Sequence, residues 1–407
     1  MAITNKEEGV WGIDKVFAKQ NQGSIWDYDG ALGTWFNWGR NNYGNLGQNN
    51  RTEYSSPVQI GSDATWANGC QGLGGEISSH GIKTDGTLWS WGDNRGGYAG
   101  VNDRTNRSSP VQVPGTTWAR ITAGTDQIVA TKTDGTLWSW GYNSYGQLCT
   151  GNDVHRSSPT QIPGTTWGTG RKSISSTGRS VLAVKSDGTL WSWGGNYAGR
   201  GGTNQAPGGS NQYFTSPRQI PGTTWSLVES GPNTSMAIKV DGTLWGWGPN
   251  PDGRLGQNSI GAQPGQNVWH GFSSPVQIPG TTWKDVAMTH ENDGGYVAIK
   301  TDGTMWAWGN GSTGQLGLNS TTKFSSPVQI PGTTWDIVDG IGAAGATAIK
   351  TDGTLWTWGN SSYGGLGNNT GPGAHRSSPI QIPGTDWKVT VRGSSKDSPL
   401  RAVIKQV

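Results

Sequence analysis

Along most of this chain apolar and polar residues alternate over short stretches, with Gly, Pro, Asn and Asp between them. Alternation of period two marks β-strands, and no segment of helix length carries a sustained period of 3.6 residues after the first thirty or so positions. The clearest stretch is Lys300-Thr301-Asp302-Gly303-Thr304-Met305-Trp306-Ala307-Trp308-Gly309. Close copies run from Lys83 to Gly92, Lys132 to Gly141, Lys185 to Gly194, Lys239 to Gly248 and Lys350 to Gly359, with a degraded one from Asp29 to Gly39. Each predicts a β-hairpin, because Asp-Gly accepts the positive φ angles of a type I′ turn. In Leu88-Trp89-Ser90-Trp91 the pleat puts Leu88 and Ser90 on one face and the tryptophans on the other.

The hairpin is one part of a longer repeat. A loop of the form Trp-Gly-x-Asn-x-x-Gly-x-Leu-Gly follows it, as from Trp38 to Gly47 and from Trp247 to Gly256. Next comes Ser-Ser-Pro-Val-Gln-Ile-Pro-Gly in seven versions, with prolines at 57, 110, 159, 217, 275, 327 and 379. Proline at that place suits an edge strand, which needs no hydrogen bond from its nitrogen. Thr-Thr-Trp then opens a short apolar strand, and Ala-Ile-Lys closes the unit at Lys83, Lys132, Lys185, Lys239, Lys300, Lys350 and Lys405. Four short strands repeated seven times predict an all-β protein, a seven-bladed β-propeller of four-stranded blades. The strand Trp35 to Trp38 lacks a partner from its own repeat, and so does Arg401-Ala402-Val403-Ile404-Lys405. Their pairing would close the ring within one blade, although Trp26 to Gly30 competes for the place. The division expected is a short N-terminal arm over residues 1–29 and the propeller over residues 30–407.

Composition sharpens this picture. Only 31% of residues are hydrophobic, yet there are 24 Trp and 68 Gly, so a few large aromatic residues at fixed spacing must supply the core. Each buried indole contributes about 4 to 6 kcal/mol before conformational entropy is subtracted. A net charge of +3 without a clustered basic stripe argues against nucleic acid. The polar start and the lack of a long apolar run argue against a signal peptide and membrane insertion. Cys70 and Cys149 occupy non-equivalent repeat positions and are expected to be free thiols.

Ser78-Ser79-His80-Gly81-Ile82-Lys83, Trp138 to Gly146 and Trp308 to Gly317 together resemble the regulator of chromosome condensation (RCC1) type of repeat. The resemblance covers about Gly30 to Val407. It implies a propeller, and it leaves the function open, since similar propellers serve as nucleotide-exchange factors, as protein inhibitors of hydrolases and as virion parts. The acidic or wedge-like loop and the basic tail expected of an exchange factor are missing. The near-verbatim Ile-Pro-Gly-Thr-Thr-Trp and Lys-Thr-Asp-Gly-Thr-Leu-Trp units look like versions carried by bacteriophages. Gly-Val-Trp-x-x-x-x-Val-Phe followed by Gly-Ser-Ile-Trp is similar to segments that open phage tail proteins.

Motifs for chemistry are sparse. Gly309 to Gly314 and Gly340 to Gly345 match a dinucleotide fingerprint, but strand rather than helix follows the second, and both read as turns. The five His residues show no metal-ligand spacing, and no nucleophile elbow or phosphate loop is present. No catalytic residue, metal or cofactor is assigned, and the protein is expected not to be an enzyme. The lysine closing each repeat has Asp two residues later in six units, which reads as a solvated pair of turn charges. Two loops are long, from Asn196 to Thr215 with Arg200, Tyr213 and Phe214, and from Asn250 to Ser273 with Arg254, Trp269, His270 and Phe272. They emerge on one side of a propeller, where they either form a binding surface or simply pin themselves to the body. In the arm, Trp11, Ile13, Val16, Phe17 and Trp26 either cap the ring or dock on another protein.

These features lead to a first expectation of a non-enzymatic structural or adhesive component of a phage particle, made in the host cytoplasm. Its arm would attach to other virion proteins and its loops would meet a host-surface protein or glycan. The alternative is a freestanding protein-binding propeller acting as an inhibitor or regulator.

Overall fold

The computed structural model describes residues 34–71, 78–204, 213–231, 233–260, 271–289, 294–341, 345–361, 366–368, 373–385, 387–391 and 401–405. Among them the strands form seven four-stranded sheets, all antiparallel, each packed on the next in a closed circle. In ring order, blade 1 spans residues 66–113, blade 2 118–162, blade 3 174–220, blade 4 225–277, blade 5 283–330 and blade 6 335–382. Blade 7 is assembled from both parts of the chain. Trp387–Val391 and Arg401–Lys405 are its inner strands, while Thr34–Gly39 and Tyr54–Gln59 are its outer ones. Phe36 stands opposite Val403 at this seam. Trp26 to Gly30, the competing segment, lies outside the described residues.

Every blade interior is covered on both faces because it lies between two others. In blade 2, Trp118, Ile121, Ile128, Ala130 and Trp140 pack against Ile82, Leu88 and Val113 of blade 1. On its other face Val129, Leu137 and Ile162 meet Trp167, Ile174, Val181 and Trp193 of blade 3. Trp118 and Trp140 meet edge to face at 6.0 Å, an arrangement favoured by the ring quadrupole. The Trp140 indole also donates to Tyr98 O of blade 1 at 2.8 Å, and Trp193, Trp247, Trp308 and Trp358 each reach the preceding blade in the same way. Gly100 lies against that contact. Its φ is +70°, and a Cβ there would stand 2.9 Å from Trp140 Nε1.

The hairpin turns differ from the expected type I′. Gly303 N donates to Lys300 O at 3.0 Å, and positive φ falls on Gly303 alone, at +78°. This is a type I turn closed by a glycine bulge, in which Asp302 takes another task. Its Oδ1 accepts from Thr304 N at 2.9 Å and Thr304 Oγ1 at 2.7 Å, and Trp306 Nε1 donates to Thr304 Oγ1 at 3.0 Å. The outer strands bear out the proline argument. Between Gly309↔Phe324 and Ala307↔Val328 the register shifts, so Pro327 sits in a bulge of an edge strand where no ladder bond is lost.

The closing lysines are half-buried, and they do more than balance the turn aspartates. Lys300 Nζ lies 4.8 Å from the ring centroids of both Trp283 and Trp306, and Lys83, Lys132, Lys185, Lys239 and Lys350 repeat this two-indole seat. The first indole comes from Thr-Thr-Trp and the second from the Trp strand, residues far apart in sequence that the blade brings to one ammonium.

Blade 3 departs from the others at its inner edge. Trp167 keeps one bridge to Lys185, but the strand starts only at Ile174. Gly168 and Ser173 both stay bonded to Val184, and the loop between them sends Arg171 and Lys172 across the centre of the ring. There Lys172 Nζ donates to Val286 O at 2.6 Å and Val338 O at 3.0 Å, and pairs with Asp285 at 2.9 Å and Asp339 at 3.1 Å. Arg171 joins the same carboxylates at 2.8 and 3.3 Å. Burial alone would raise the Asp285 carboxyl, but Arg171, Lys172 and the Val338 N–H overcome it and hold the group below the usual carboxylate range. A cavity of about 380 Å³ lies beside the departing loop, lined in part by Gly168, Ser173, Val184, Trp225 and Val240.

Candidate functional site

The loops after the Trp strands all emerge on one side, and an asparagine gives them a common frame. Asn143 Oδ1 accepts from Leu148 N at 2.8 Å, while its Nδ2 donates to Asn152 O at 2.7 Å. Asn41 and Asn250 do the same with Leu46 and Asn50, and with Leu255 and Ser259. A frame whose backbone is tied down this way holds its intervening side chains in fixed directions, which lowers the ordering cost of binding.

Across blades 7, 1, 2 and 3, tyrosines and arginines from these loops, from the turn at Arg179 and from the strand that opens at Tyr213 line up in an arc. Arg95 lies with its guanidinium 4.8 Å from the Tyr43 ring, and its Nε reaches Asp93 Oδ1 at 2.9 Å. Tyr98 follows, packed 6.1 Å from Tyr142, which meets His155 at 4.4 Å. His155 is oriented by Asn143 N, which donates to its Nδ1 at 2.9 Å. Beyond them Arg179 stacks 4.1 Å from the Tyr145 ring, with its Nε 3.6 Å from Asp126 Oδ2. Tyr145 in turn meets Tyr213 edge to face at 6.3 Å. Tyr142 and Tyr213 are 38% and 43% exposed, so the arc opens to solvent.

Two carboxylates sit beneath this surface. Burial raises Asp126, against the pull of Arg179 and a hydrogen bond from Tyr98. Burial likewise raises Asp93, opposed by the backbone N–H groups of Arg95 and Asn94. The Tyr98 phenol is pushed up by burial first and then by Asp126 and Asp93, so it stays a neutral donor. The arrangement suits recognition, with rigid aromatic area, fixed guanidiniums and phenolic hydroxyls.

The residues singled out from the long loops have separate fates. Tyr213 is exposed and belongs to the arc. Phe214 packs beside Trp167 and Trp193, with Arg218 5.4 Å from its ring. Phe272 packs on the cluster containing Trp283. Arg254 is buried, bonded to Asp252 at 3.0 Å, and Asp252 also takes Lys323 of the next blade at 2.5 Å. Arg200 donates from Nε to Gly195 O at 3.0 Å. Trp269 and His270 lie outside the described residues, as do Trp11, Ile13, Val16, Phe17 and Trp26 of the arm.

Arg95, Tyr142, Tyr145 and Arg179 escaped the sequence reasoning, which followed loop length. A signal was available: they occupy variable positions inside a repeat that is otherwise nearly invariant.

Comparison with known proteins agrees with this fold. The family model described as "Regulator of chromosome condensation (RCC1) repeat" matches residues 33–67, 134–173, 302–340 and 352–393, and a second model of the same repeat matches residues 118–147. The RCC1 domain-containing protein RUG3, mitochondrial, of Arabidopsis thaliana is 30% identical over 39% of this chain and 34% of its own length. The E3 ubiquitin-protein ligase HERC2 of Mus musculus is 26% identical over 75% of this chain and 5% of its own. The chain thus spans about a third of the first relative and a small part of the second. The solved structure of Prp20p from Saccharomyces cerevisiae, described with its binding to Gsp1p and histones, superposes with a TM-score of 0.72 at 16% identity, covering 93% of this chain and 92% of that one. With its Trp strands, asparagine-framed loops and closing seam, this chain carries RCC1 repeats and is an RCC1-like propeller.

Proposed function

We propose that this chain is a non-catalytic, protein-binding propeller of inhibitor or regulator type, which captures its partner on the arc running from Tyr43 to Tyr213. The observation that carries this is the Arg179 guanidinium, stacked on Tyr145 beside Asp126 with Tyr213 exposed next to it. Tyrosine and arginine held rigid at a partly exposed surface make up the usual composition of an interface hot spot. A fold shared with Prp20p, whose described partners are proteins, supports the same class. Attachment to a virion through the arm draws on residues outside the described part, and the relatives reported above are not particle proteins, so it is not adopted here.

The test is site-specific photo-crosslinking in the native source. A benzoylphenylalanine at position 145 or 213 is expected to trap one partner, and the same probe at Thr301 on the opposite side is expected to trap none. Tyr145→Ala and Tyr213→Ala are expected to weaken that partner tenfold or more. Unchanged affinity in both variants would remove the proposal.

A further inference from the structure

The arc contains one module built twice. Arg95 of blade 1 lies over Tyr43 of blade 7 and is tied at Nε to Asp93. Arg179 of blade 3 lies over Tyr145 of blade 2 and is held at Nε by Asp126 of the same blade. In both, a phenol covers one face of the guanidinium and a carboxylate sits at its Nε edge. The pairs are also layered alike. The arginine side chains are 52% and 44% exposed, whereas their carboxylates are 0% and 26% exposed. In each pair the cation is the more exposed partner, and at Arg95 the anion is fully covered. The loops of blades 7 and 1 expose two further arginines, Arg51 and Arg104.

Resting on the binding role proposed above, we infer that the partner engages this arc through a carboxylate-rich peptide segment, with an Asp or Glu side chain seated at Arg179 and another at Arg95. A guanidinium is a planar fork that matches a carboxylate through paired N–H donors, and stacking has already removed much of its rotational freedom. The exposed rings of Tyr142 and Tyr213 lie along the arc and supply apolar area for the residues around those acids. A continuous polyanion fits less well. Asp93 and Asp126 lie beneath the arginines, and the chain carries a net charge of only +3, so nothing offers the unbroken cationic stripe a nucleic-acid backbone requires.

The full chain can be titrated by fluorescence anisotropy with a labelled peptide of six Glu residues flanked by Gly-Ser, and with its Gln counterpart. The Glu peptide is expected to bind at least tenfold tighter than the Gln peptide and to weaken as salt rises from 50 to 300 mM. Arg95→Gln and Arg179→Gln are each expected to weaken it about fivefold, and Arg179→Lys, which keeps charge without the fork, about threefold. Lys300→Gln on the opposite side is expected to leave it unchanged. Equal binding of the two peptides by the unaltered chain would overturn the inference, and that comparison needs no variant to fold. Tighter binding of a phosphoserine peptide or of a single-stranded oligonucleotide, by tenfold, would overturn it too. Separation from the earlier proposal comes from the trapped partner itself. A crosslinked segment without Asp or Glu sinks this inference and leaves the arc as the binding site, whereas unchanged affinity in Tyr145→Ala and Tyr213→Ala sinks the binding role.

Discussion

The two sides of this ring are built on opposite policies. On the side of the hairpin turns the same assembly recurs in six blades with almost no variation. A lysine sits over two indoles, and an aspartate holds a threonine that in turn holds a tryptophan N–H. The Asp134, Asp187, Asp241 and Asp352 copies keep the 2.9 and 2.7 Å bonds to threonine seen at Asp302, give or take 0.1 Å. On the loop side it is the backbone frame that repeats, through the asparagine, the bonds from Asn49, Asn102, Asn258 and Asn319 N to a serine O of the next blade, and the Trp N–H bonds, while the displayed residues differ from blade to blade. Sameness across copies is what fold stability alone would favour, since each blade meets the same packing problem. Difference across copies, at positions the frame leaves free, is where a partner can be recognised.

That contrast can be broken in several ways. The largest effect is expected in the layer beneath both sides. Trp308→Ala removes a fully buried indole together with its bond to Arg254 O, and should cost about 3–5 kcal/mol in urea unfolding. Asp285→Asn comes next, because it leaves Arg171 and Lys172 short of an anion inside the ring, and about 3 kcal/mol is expected by the same measurement. Acid should act at His80. It is buried between Ser78 Oγ, at 2.9 Å, and Ser90 Oγ, and burial pushes its imidazole from 6.5 down to about 3. Below pH 6.5 the unfolded chain takes up a proton that the folded chain refuses. Stability should then fall by about 1.4 kcal/mol per pH unit until roughly pH 3, where the folded form titrates as well. His80→Gln should flatten that part of the profile by about 2 kcal/mol at pH 5.

The two sides themselves should then separate by readout. Tyr145→Ala is expected to cost about 1.4 kcal/mol or more in partner binding, with under about 1 kcal/mol in unfolding. Lys300→Met should do the reverse, losing about 1 kcal/mol of stability or less while binding stays as it was. A turn-side substitution that abolished binding, or an arc substitution that cost only stability, would erase the distinction.

Much of the fold could be read from residue order. Alternating strands, Asp-Gly turns and bulge-tolerant prolines are local signals, and a repeated local signal specifies the assembly. The turn type was missed because Asp302 caps Thr304 rather than adopting positive φ. The indole contacts of the lysines were not foreseen because Trp283 and Trp306, although both visible as tryptophans, converge on Lys300 only after the blade has folded. The arc was less legible still. Its members come from four blades and meet only through the circle, whereas Phe214 and Phe272, which stood out on long loops, are drawn into the body by their own hydrophobicity. The irregular Gly168-Thr169-Gly170-Arg171-Lys172 read as part of an ordinary apolar strand, and its charge was the missed clue.

Those two basic residues give the disc a hub. Arg171 and Lys172 leave blade 3 and grip blades 5 and 6 directly, like a spoke passing through the axle. A pull applied at Arg179, in the turn between the two inner strands of blade 3, therefore has a second load path besides the one around the circumference, and the far side of the wheel bears part of it.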